Sequence, residues 1–207
     1  YKRQAIYCCS ESEFMGDIVF ADIIKQDSKD ALKALKKLGI AKTVMMTGDK
    51  EEIAKDIASK AGIDTVYSRL MPDEKANIVS ELQKSGSTVV YTGDGINDAP
   101  VLSQADVGVA MGGAGSDIAV EASDMVIMGD SLSKLAIGKK VAKKTIRIVH
   151  ENIIFAIAVK LLIIIGCAIG IFDENAMWLA VFGDVGVCLI AIANSLRALR
   201  VGKIKNK

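Results

Sequence analysis

The sequence predicts an α/β fold with a doubly wound parallel sheet, followed by a two-helix transmembrane hairpin. Three observations predict it. Short β-branched runs alternate with segments of helical period as far as residue 150, which is the pattern of βαβ units around a parallel sheet. Beyond that point the chain is dominated by two apolar runs, each of the length that a helix needs to cross a bilayer. The whole 207-residue chain is 51% hydrophobic, so it can also bury a sizeable core.

Six short runs rich in β-branched residues are predicted to be strands. The segments between them have helical period, and three of these, DSKDALKALKKLG, KEEIAKDIASKAG and PDEKANIVSELQKSG, close on a glycine that suits the C′ position of a helix. In a doubly wound sheet, ligands bind beyond the carboxyl ends of the strands. The predicted strands are IVFADI around Ile18, TVMM from Thr43, TVY from Thr65, TVVY from Thr88, VGVA from Val107 and MVIM from Met125.

The two apolar runs, 153–172 and 176–196, each carry a single charge, Lys160 and Asp184 respectively. Basic residues flank the pair of runs, whereas the short connection between them is acidic. By the positive-inside rule both ends of the hairpin are cytoplasmic, so the α/β domain and the C-terminus are expected on the cytoplasmic side. The alternative, two buried core helices of a soluble protein, is disfavoured by two consecutive runs of full spanning length. The flanking basic residues are Lys139, Lys140, Lys143, Lys144, Arg147, Arg197, Arg200, Lys203, Lys205 and Lys207.

Net charge and cysteine content exclude few functions. The formal net charge of +1 averages an ordinary charged domain with an apolar region, so it argues neither for nor against a nucleic-acid partner. We expect no such partner. The four cysteines lack the CxxC or CxxxH spacings typical of a structural zinc site, and they suggest no disulfide framework. We interpret them as reduced thiols, because cysteine packs as a small hydrophobic residue.

The predicted strand TVVY runs into the sequence TGDGINDAP, residues 92–100, where two carboxylates follow in quick succession. Glycines on either side of Asp94 let the backbone turn sharply, which brings Asp94 and Asp98 towards the same small space. Carboxylates at a strand end suit a hard cation such as Mg²⁺, which takes one or two carboxylates together with water and phosphate oxygens. The alternative is a turn in which Asn97 or Asp98 caps the helix that starts near Pro100.

Two further groups at predicted strand ends suit an anion. In MPDEK, Pro72 is predicted at the first helical position, which places Lys75 in the opening turn, where the helix dipole disfavours a cation unless an anion binds. Thr47, in an earlier TGD with Gly48 and Asp49, offers a hydroxyl and turn amides at the end of TVMM. The alternatives are an exposed lysine balanced by its acidic neighbours and an ordinary threonine turn.

Taken in order, a threonine, a lysine and a paired-aspartate loop on successive strand ends resemble the haloacid dehalogenase-like phosphohydrolase fold. The longer run TGDGINDAPVLSQADVGVAMGGAGSDIAVEASDMVIM is similar to the hinge and phosphorylation-domain segment of P-type ATPases. The upstream run FADIIKQDSKDALKALKKLGIAKTVMMTGDK fits the same family, so the resemblance covers the chain from about Gly16. It implies ATP and Mg²⁺ as cofactors.

The resemblance implies a role for each residue of this site. Asp94 corresponds to the Mg²⁺ ligand, and Lys75 corresponds to the cation that neutralises the phosphoryl group, whose oxygens Thr47 contacts. Asp98 and Asn97 correspond to residues that hold the loop through hydrogen bonds, and Asp98 supports the Mg²⁺ site without binding the ion directly. The residues expected to be catalytic are Thr47, Gly48, Asp49, Lys75, Asn97 and Asp98.

The family's nucleophilic aspartate lies in a DKTGT motif, and no DKTG occurs in these residues. We therefore expect that the chain alone forms no aspartyl phosphate, that it is a C-terminal fragment, and that upstream domains of the same polypeptide are its partners. The expected divisions are 1–20, the tail of a nucleotide-binding domain; 21–133, the phosphorylation domain; 134–152, a basic linker helix; 153–196, the hairpin; and 197–207, a cytoplasmic basic tail.

Asn152 and Lys160 in the first span, with Asp184-Val185-Gly186 in the second, resemble the signature of the zinc-, cadmium- and lead-exporting branch of heavy-metal ATPases. The implied function is ATP-driven export of Zn²⁺, Cd²⁺ or Pb²⁺ across the plasma membrane through an aspartyl phosphate, with Lys160, Asp184 and Gly186 at the transport site. Charges at membrane depth are costly and indicate function by default, although a purely structural ion pair is the alternative. The rival functions are a membrane-anchored haloacid dehalogenase-like phosphohydrolase and a non-catalytic membrane module.

Overall fold

The computed structural model of the protein describes residues 4–10, 14–20, 24–25, 27–93, 98–112, 120–129, 131–171 and 176–200. The chain divides between Ala136 and Ile137 into two compact units. The finer divisions expected from the sequence, at residues 20, 133, 152 and 196, stay predictions.

The described part of the first unit alternates strands and helices in the order that the sequence pattern predicts from residue 28 onwards. Its elements are β1 (Gln4–Cys9), β2 (Phe14–Phe20), α1 (Ser28–Lys37), β3 (Val44–Met46), α2 (Glu51–Ala61), β4 (Thr65–Tyr67), α3 (Pro72–Lys84), β5 (Val90–Gly93), α4 (Ala99–Gln104), β6 (Val107–Met111) and β7 (Met125–Ile127).

Strand β2 differs from its prediction. The sequence around Ile18 is a strand, but it pairs antiparallel with β1, from Gln4 opposite Phe20 to Cys9 opposite Phe14, in a sheet of two strands. The prediction of a parallel-sheet strand here was therefore wrong. The connection between β1 and β2 is short, and a short connection suits an antiparallel hairpin, whereas a parallel pairing needs a crossover of a dozen residues or more.

Strands β3 to β7 confirm the parallel arrangement. Strand β3 pairs with β4, and β6 lies between β5 and β7, with every one of these pairings parallel. Each connection runs through a helix wherever the structure describes it, so the unit is built from βαβ crossovers. The carboxyl ends of β5 and β6 consequently lie at one edge of the three-stranded sheet, where ligands bind in this class of fold.

The helices of the first unit end as the sequence predicts. Helix α2 closes on Gly62, whose φ of +82° is the left-handed conformation that favours glycine. Helix α1 buries Ala31 and Leu35, which lie one turn apart on one face, as the helical period of this segment predicts. The core next to β5 is a cluster of Val79, Tyr91, Val101 and Leu102, against which Met46 of β3 packs.

The second unit contains two long apolar helices and a short 3₁₀ helix among its described residues. Helix α5 (Ser133–Ala168) is continuous through both the predicted basic linker and most of the first predicted span, and helix α6 (Ala176–Ser195) matches the second span and leads into the 3₁₀ turn Leu196–Arg200. Both helices are long and apolar enough to cross a membrane, with mean hydropathies of 2.2 and 2.0 over their most apolar windows. Large apolar side chains such as Leu162 and Phe182 are exposed on this unit, as lipid contact requires.

Asp64 ties α1 to the first parallel pair of strands. One of its carboxylate oxygens accepts a hydrogen bond from Lys36 Nζ at 2.6 Å. The other accepts from the backbone nitrogen of Thr43 at 2.8 Å and from the Thr43 hydroxyl at 2.7 Å. The bond from Lys36, followed by those from Thr43, holds the pKa of Asp64 well below its usual range.

This depressed pKa makes stability depend on pH in a defined direction. A carboxylate whose pKa is lower in the folded state stabilises that state at pH values above its unfolded pKa of about 3.9, and the contribution is lost as the pH falls towards the folded pKa. Asp64→Asn should therefore lower the thermal midpoint of the detergent-solubilised chain at pH 6 and flatten its decline below about pH 4. Asp56→Asn, on an exposed pair within α2, is the matched control, and an unchanged acid limb in Asp64→Asn would contradict the assignment.

Candidate functional site

Asp98 immediately precedes the start of α4. Its backbone oxygen accepts hydrogen bonds from the nitrogens of Val101 at 2.9 Å and Leu102 at 2.8 Å, so it occupies the N-cap position. Its side chain makes no capping hydrogen bond. The capping alternative is thus fulfilled by the backbone alone, and the carboxylate is available for another partner. Residues 94–97 are outside the described ranges, so the roles of Asp94 and Asn97 stay predictions.

The partner of Asp98 is Lys75. The Lys75 ammonium lies 2.8 Å from Asp98 Oδ1, and the two side chains are only 17% and 12% exposed. Helix α3 begins at Pro72, as predicted, which places Lys75 in its first turn. Glu74 does not balance this charge, because its carboxylate accepts a hydrogen bond from the Met71 nitrogen at 2.7 Å. The alternative of an exposed lysine balanced by its neighbours in sequence is therefore not what the structure contains.

The Lys75–Asp98 pair places an ammonium and a carboxylate at the carboxyl edge of the β5–β6–β7 sheet. A cation in the first turn of α3 is disfavoured by the helix dipole, and the Asp98 carboxylate offsets that penalty. The pair is largely removed from water, so its attraction is screened less than that of a surface pair. It joins the start of α3 to the start of α4 across 23 residues of sequence.

Gly93, the last residue of β5, makes room for this carboxylate. A Cβ at position 93 would lie 2.7 Å from Asp98 Oδ2 and 3.2 Å from the Tyr91 ring. Any side chain there would push Asp98 away from the strand end. The sequence showed this glycine as a turn former, whereas the structure gives it a second role as the space into which Asp98 folds.

Thr47 forms a compact turn at the end of β3. Its hydroxyl donates to Asp49 Oδ2 at 2.8 Å and accepts from the Asp49 nitrogen at 3.1 Å, so the ordinary threonine turn is present. The backbone oxygen of Thr47 accepts a hydrogen bond from the Leu70 backbone nitrogen at 3.1 Å. The backbone oxygen of Asp49 accepts one from the Arg69 backbone nitrogen at 2.9 Å. Gly48 between them is exposed.

These backbone bonds fasten the Thr47 turn to the segment that enters α3. Leu70 is followed at once by Met71 and the first turn of the helix, so the turn and the Lys75–Asp98 pair belong to one connected structure. Arg69 was not identified from the sequence as part of this structure. Among the described residues, Arg69 is the one residue other than glycine with a positive φ, +58°. No sequence pattern indicates that a bulky residue adopts this conformation.

The Asp98 carboxylate has the chemistry to bind a hard cation, but the described residues do not form a complete metal site. Among the residues that the structure describes, no three His, Cys, Asp or Glu side chains are grouped to hold a metal. Asp98 Oδ1 is engaged by Lys75, while Oδ2 faces the end of β5. A carboxylate oxygen at a strand end, with a second aspartate four residues earlier in the sequence, is the oxygen-only chemistry that Mg²⁺ prefers.

The hairpin holds a second lysine–aspartate pair. Lys160 Nζ of α5 lies 2.8 Å from Asp184 Oδ1 of α6, and the two side chains are 60% and 69% exposed. One turn away the helices approach closely, because a Cβ on Gly183 would collide with the side chain of Ile163. A Cβ on Gly186 would meet no atom within 4 Å, so the structure does not draw Gly186 into the contact.

Comparison with known proteins identifies the class. The sequence profile of the haloacid dehalogenase-like hydrolases matches residues 3–106. The chain belongs to that family, as its parallel strands and strand-end site indicate.

The relatives of the chain within this class are heavy-metal ATPases. It is 44% identical over 205 residues to a "Cadmium, zinc and cobalt-transporting ATPase" of Bacillus subtilis, covering 98% of this chain and 28% of that protein. It is 44% identical to a "Zinc-transporting ATPase" of Synechocystis, covering 93% and 26%. A "Cadmium-transporting ATPase" of Staphylococcus aureus is 38% identical, covering 96% and 27%. The chain thus spans about a quarter of the length of these relatives, and the predicted resemblance to P-type ATPases is confirmed.

A solved structure agrees with these relatives. The crystal structure of a zinc-transporting PIB-type ATPase in its E2·Pi state matches with a TM-score of 0.83 at 31% identity, covering 96% of this chain and 32% of that one. The match extends over nearly all of this chain, so the predicted fold class, an α/β domain of haloacid dehalogenase type followed by two apolar helices, is confirmed.

A double-mutant cycle tests the Lys75–Asp98 pair. Lys75→Met and Asp98→Asn should each lower the free energy of unfolding of the first unit by about 2–3 kcal/mol, because each leaves a partly buried charge unpaired. The double variant should lose less than the sum of the two, with a coupling of about 1–3 kcal/mol. Hydrogen exchange in urea, on peptides of β5 and α4 in the detergent-solubilised chain, measures these values.

The Glu51–Lys55 pair of α2 provides the control for that cycle. Its side chains are 54% and 68% exposed, and the corresponding cycle with Glu51→Gln and Lys55→Met should give nearly additive losses, because water and salt screen an exposed pair. Additive losses at Lys75 and Asp98 would show that their contact carries no interaction energy.

Proposed function

We propose that this chain supplies the phosphorylation domain and one membrane hairpin of an ATP-driven heavy-metal exporter that works through an aspartyl phosphate. The observation that carries the proposal is the presence of both lysine–aspartate pairs, Lys75–Asp98 at a strand end and Lys160–Asp184 within an apolar hairpin, in a chain so similar to metal-transporting ATPases. In the proposed machine the nucleophilic aspartate belongs to a part of the polypeptide outside these residues.

At the strand-end site the protein's task is to position a phosphoryl group and neutralise its charge. Lys75 provides the ammonium, and Asp98 holds that ammonium in place. Thr47, with Gly48 and Asp49, offers a hydroxyl and turn amides to the phosphoryl oxygens. Asp94, with Asn97 and Asp98 supporting the loop, would hold Mg²⁺, which when bound supplies additional positive charge to the phosphoryl group of ATP.

In the hairpin, Asp184 is proposed to bind the transported cation. A charge at membrane depth costs about 3 kcal/mol on insertion scales, so an inert anchor has no reason to keep two. Lys160 occupies the Asp184 carboxylate at 2.8 Å, and a divalent cation would compete with it for the same oxygens. Gly186 belongs to the proposed site because Asp184-Val185-Gly186 resembles the signature of the exporting branch.

The proposed cargo is Zn²⁺ or Cd²⁺, with Pb²⁺ as a further candidate. The relatives' names specify cadmium, zinc and, for the Bacillus subtilis protein, cobalt. One carboxylate discriminates poorly among divalent ions, because selectivity depends on the softness and geometry of the complete ligand set. The ligands that complete the set belong to the rest of the proposed machine.

We further propose that the protein is a multi-pass component of the plasma membrane with its α/β domain and C-terminus in the cytoplasm. The basic residues on both sides of the hairpin and the acidic connection support this orientation. The domain divisions 1–20, 21–133, 134–152, 153–196 and 197–207 are part of the same proposal. No nucleic-acid partner belongs to it.

A chimera tests the proposal directly. The matching 205 residues of the Bacillus subtilis relative are replaced by this chain, and ATP hydrolysis is measured in vesicles with Zn²⁺, Cd²⁺, Co²⁺ and Pb²⁺. We expect metal-stimulated hydrolysis that Asp184→Ala abolishes, because the carboxylate that binds the cargo is lost. Leu189→Ala, at an exposed position of the same helix, is the control and should retain stimulation.

One result would contradict the role of Asp184, and another would contradict the exporter. Metal stimulation that survives Asp184→Ala would remove this residue from the transport site. A chimera that hydrolyses small phosphate esters without metal stimulation or ATP-dependent phosphorylation would favour the membrane-anchored phosphohydrolase instead.

Asp94→Asn addresses the strand-end site in the same chimera. The variant should lower formation of the acid-stable phosphoenzyme from labelled ATP by about 10²-fold or more, because a carboxylate expected to bind Mg²⁺ becomes a neutral amide. Asp73→Asn, an exposed position in the first turn of α3, should leave phosphorylation near the level of the unmodified chimera. Undiminished phosphorylation in Asp94→Asn would restrict Asp94 to a structural role.

A further inference from the structure

A cluster of polar side chains joins α5 to α6 away from the Lys160–Asp184 pair. Asn152 Nδ2 donates to the backbone oxygen of Ala191 at 3.2 Å and to Ser195 Oγ at 3.1 Å. Asn194 Nδ2 donates to Asn152 Oδ1 at 2.8 Å. Both ends of the Asn152 amide are therefore occupied by the neighbouring helix, and the proposed transport chemistry uses none of these contacts.

A second layer of contacts surrounds this cluster. Arg197 Nη1 donates to Glu151 Oε2 at 2.9 Å and to Asn194 Oδ1 at 2.6 Å. Asn194 is thus fixed from both sides, and it presents its amide group to Asn152 in one orientation. The cluster as a whole, Glu151, Asn152, Asn194, Ser195 and Arg197, lies where α6 ends and the 3₁₀ turn begins.

Polar contacts of this kind define the register of two helices in a way that apolar packing does not. Elsewhere the described interface contains the Lys160–Asp184 pair and apolar contacts such as that between Ile163 and Gly183, and apolar side chains can repack after a small slide. A slide of one residue moves a helix by about 1.5 Å and turns the side chain by about 100°. Such a slide would break the Asn152 bonds, and the amide would then need new partners for both of its ends.

The spacing of the two sets of contacts is matched. Lys160 lies about two helical turns from Asn152 along α5, and Asp184 lies about two turns from Ala191 along α6 in the opposite sense. Because the helices pair antiparallel, fixing Asn152 against Ala191 brings Lys160 level with Asp184 and Ile163 level with Gly183. One register satisfies all of these contacts.

We propose that Asn152 is a positioning residue that sets the register of the hairpin and thereby places Lys160 beside Asp184. It binds no metal in this role, because both ends of its amide are engaged by α6. Its consequence for transport rests on the proposed function, whereas the register itself can be tested without it.

The test is site-directed disulfide formation in the full chain, in lipid nanodiscs, with the native cysteines replaced by serine. Ile163→Cys with Gly183→Cys reports the observed register, and Ile163→Cys with Val187→Cys reports a register displaced by one turn. Asn152→Ala should slow oxidation of the first pair about fivefold or more and speed that of the displaced pair, because three hydrogen bonds to the neighbouring helix are lost. The replaced native residues are Cys8, Cys9, Cys167 and Cys188.

Two variants separate positioning from general disruption. His150→Ala, whose ring contacts the backbone oxygen of Ile146 in its own helix at 2.8 Å, should leave both oxidation rates unchanged. Asn152→Gln, which keeps the donor and the acceptor, should recover part of the original pattern. Should Asn152→Ala lose its helical circular dichroism, Asn194→Ala removes one of the three hydrogen bonds of Asn152 and should shift the ratio of the two rates in the same direction by a smaller factor.

Unchanged ratios in both Asn152→Ala and Asn194→Ala would overturn the proposal, whatever the chimera does. In a chimera that is active, Asn152→Ala should raise the metal concentration for half-maximal stimulation several-fold and Asn152→Gln should partly reverse that rise. Shifted disulfide ratios in a chimera without metal stimulation would support the register role and count against the exporter instead.

Discussion

The strand-end site depends on the contact between Lys75 and Asp98. A helix whose first turn carries an ammonium needs an anion nearby, because its unpaired N–H groups already make that end positive. Asp98 provides the anion and also occupies the N-cap position of α4, because its backbone caps α4 while its side chain contacts Lys75 of α3. A single aspartate therefore fixes the relative position of two helix starts and holds the Lys75 ammonium near the edge of the sheet.

The apolar core supports that contact from behind. Val79 lies one turn after Lys75 on α3, and Val101 and Leu102 follow Asp98 on α4, and all three are almost fully buried. The same helices thus present apolar groups to the core and charged groups to the sheet edge. Gly93 completes the arrangement, because only a residue without Cβ lets the carboxylate lie against the end of β5. A change in core packing would therefore be transmitted to the charged pair, since the two are separated by a single helical turn.

The sequence was sufficient for the type and order of the elements from β3 onwards and for the start of α3 at Pro72, because hydrophobic period and proline preference are local properties. It failed at β2, since a strand pattern does not specify a strand's partner, and the short connection to β1 favoured the hairpin. It placed Lys75 and Asp98 at neighbouring strand ends but left capping and pairing open for Asp98, because an aspartate before a helix is compatible with both. The hydrogen bonds of Asn152 to the neighbouring helix could not be predicted from the sequence, because they depend on how the two helices pack against each other.

The two lysine–aspartate pairs have the same 2.8 Å separation but opposite surroundings, and this difference separates their roles. Lys75 and Asp98 are largely enclosed by protein, so water screens their contact little and the pair joins the starts of two helices. Lys160 and Asp184 face outwards from the hairpin, and in a bilayer that exposure means contact with hydrocarbon unless water, protein or an ion covers them. The same chemical contact is thus enclosed by protein in one unit and left uncovered by the hairpin in the other, and what distinguishes the two pairs is the medium around the charges.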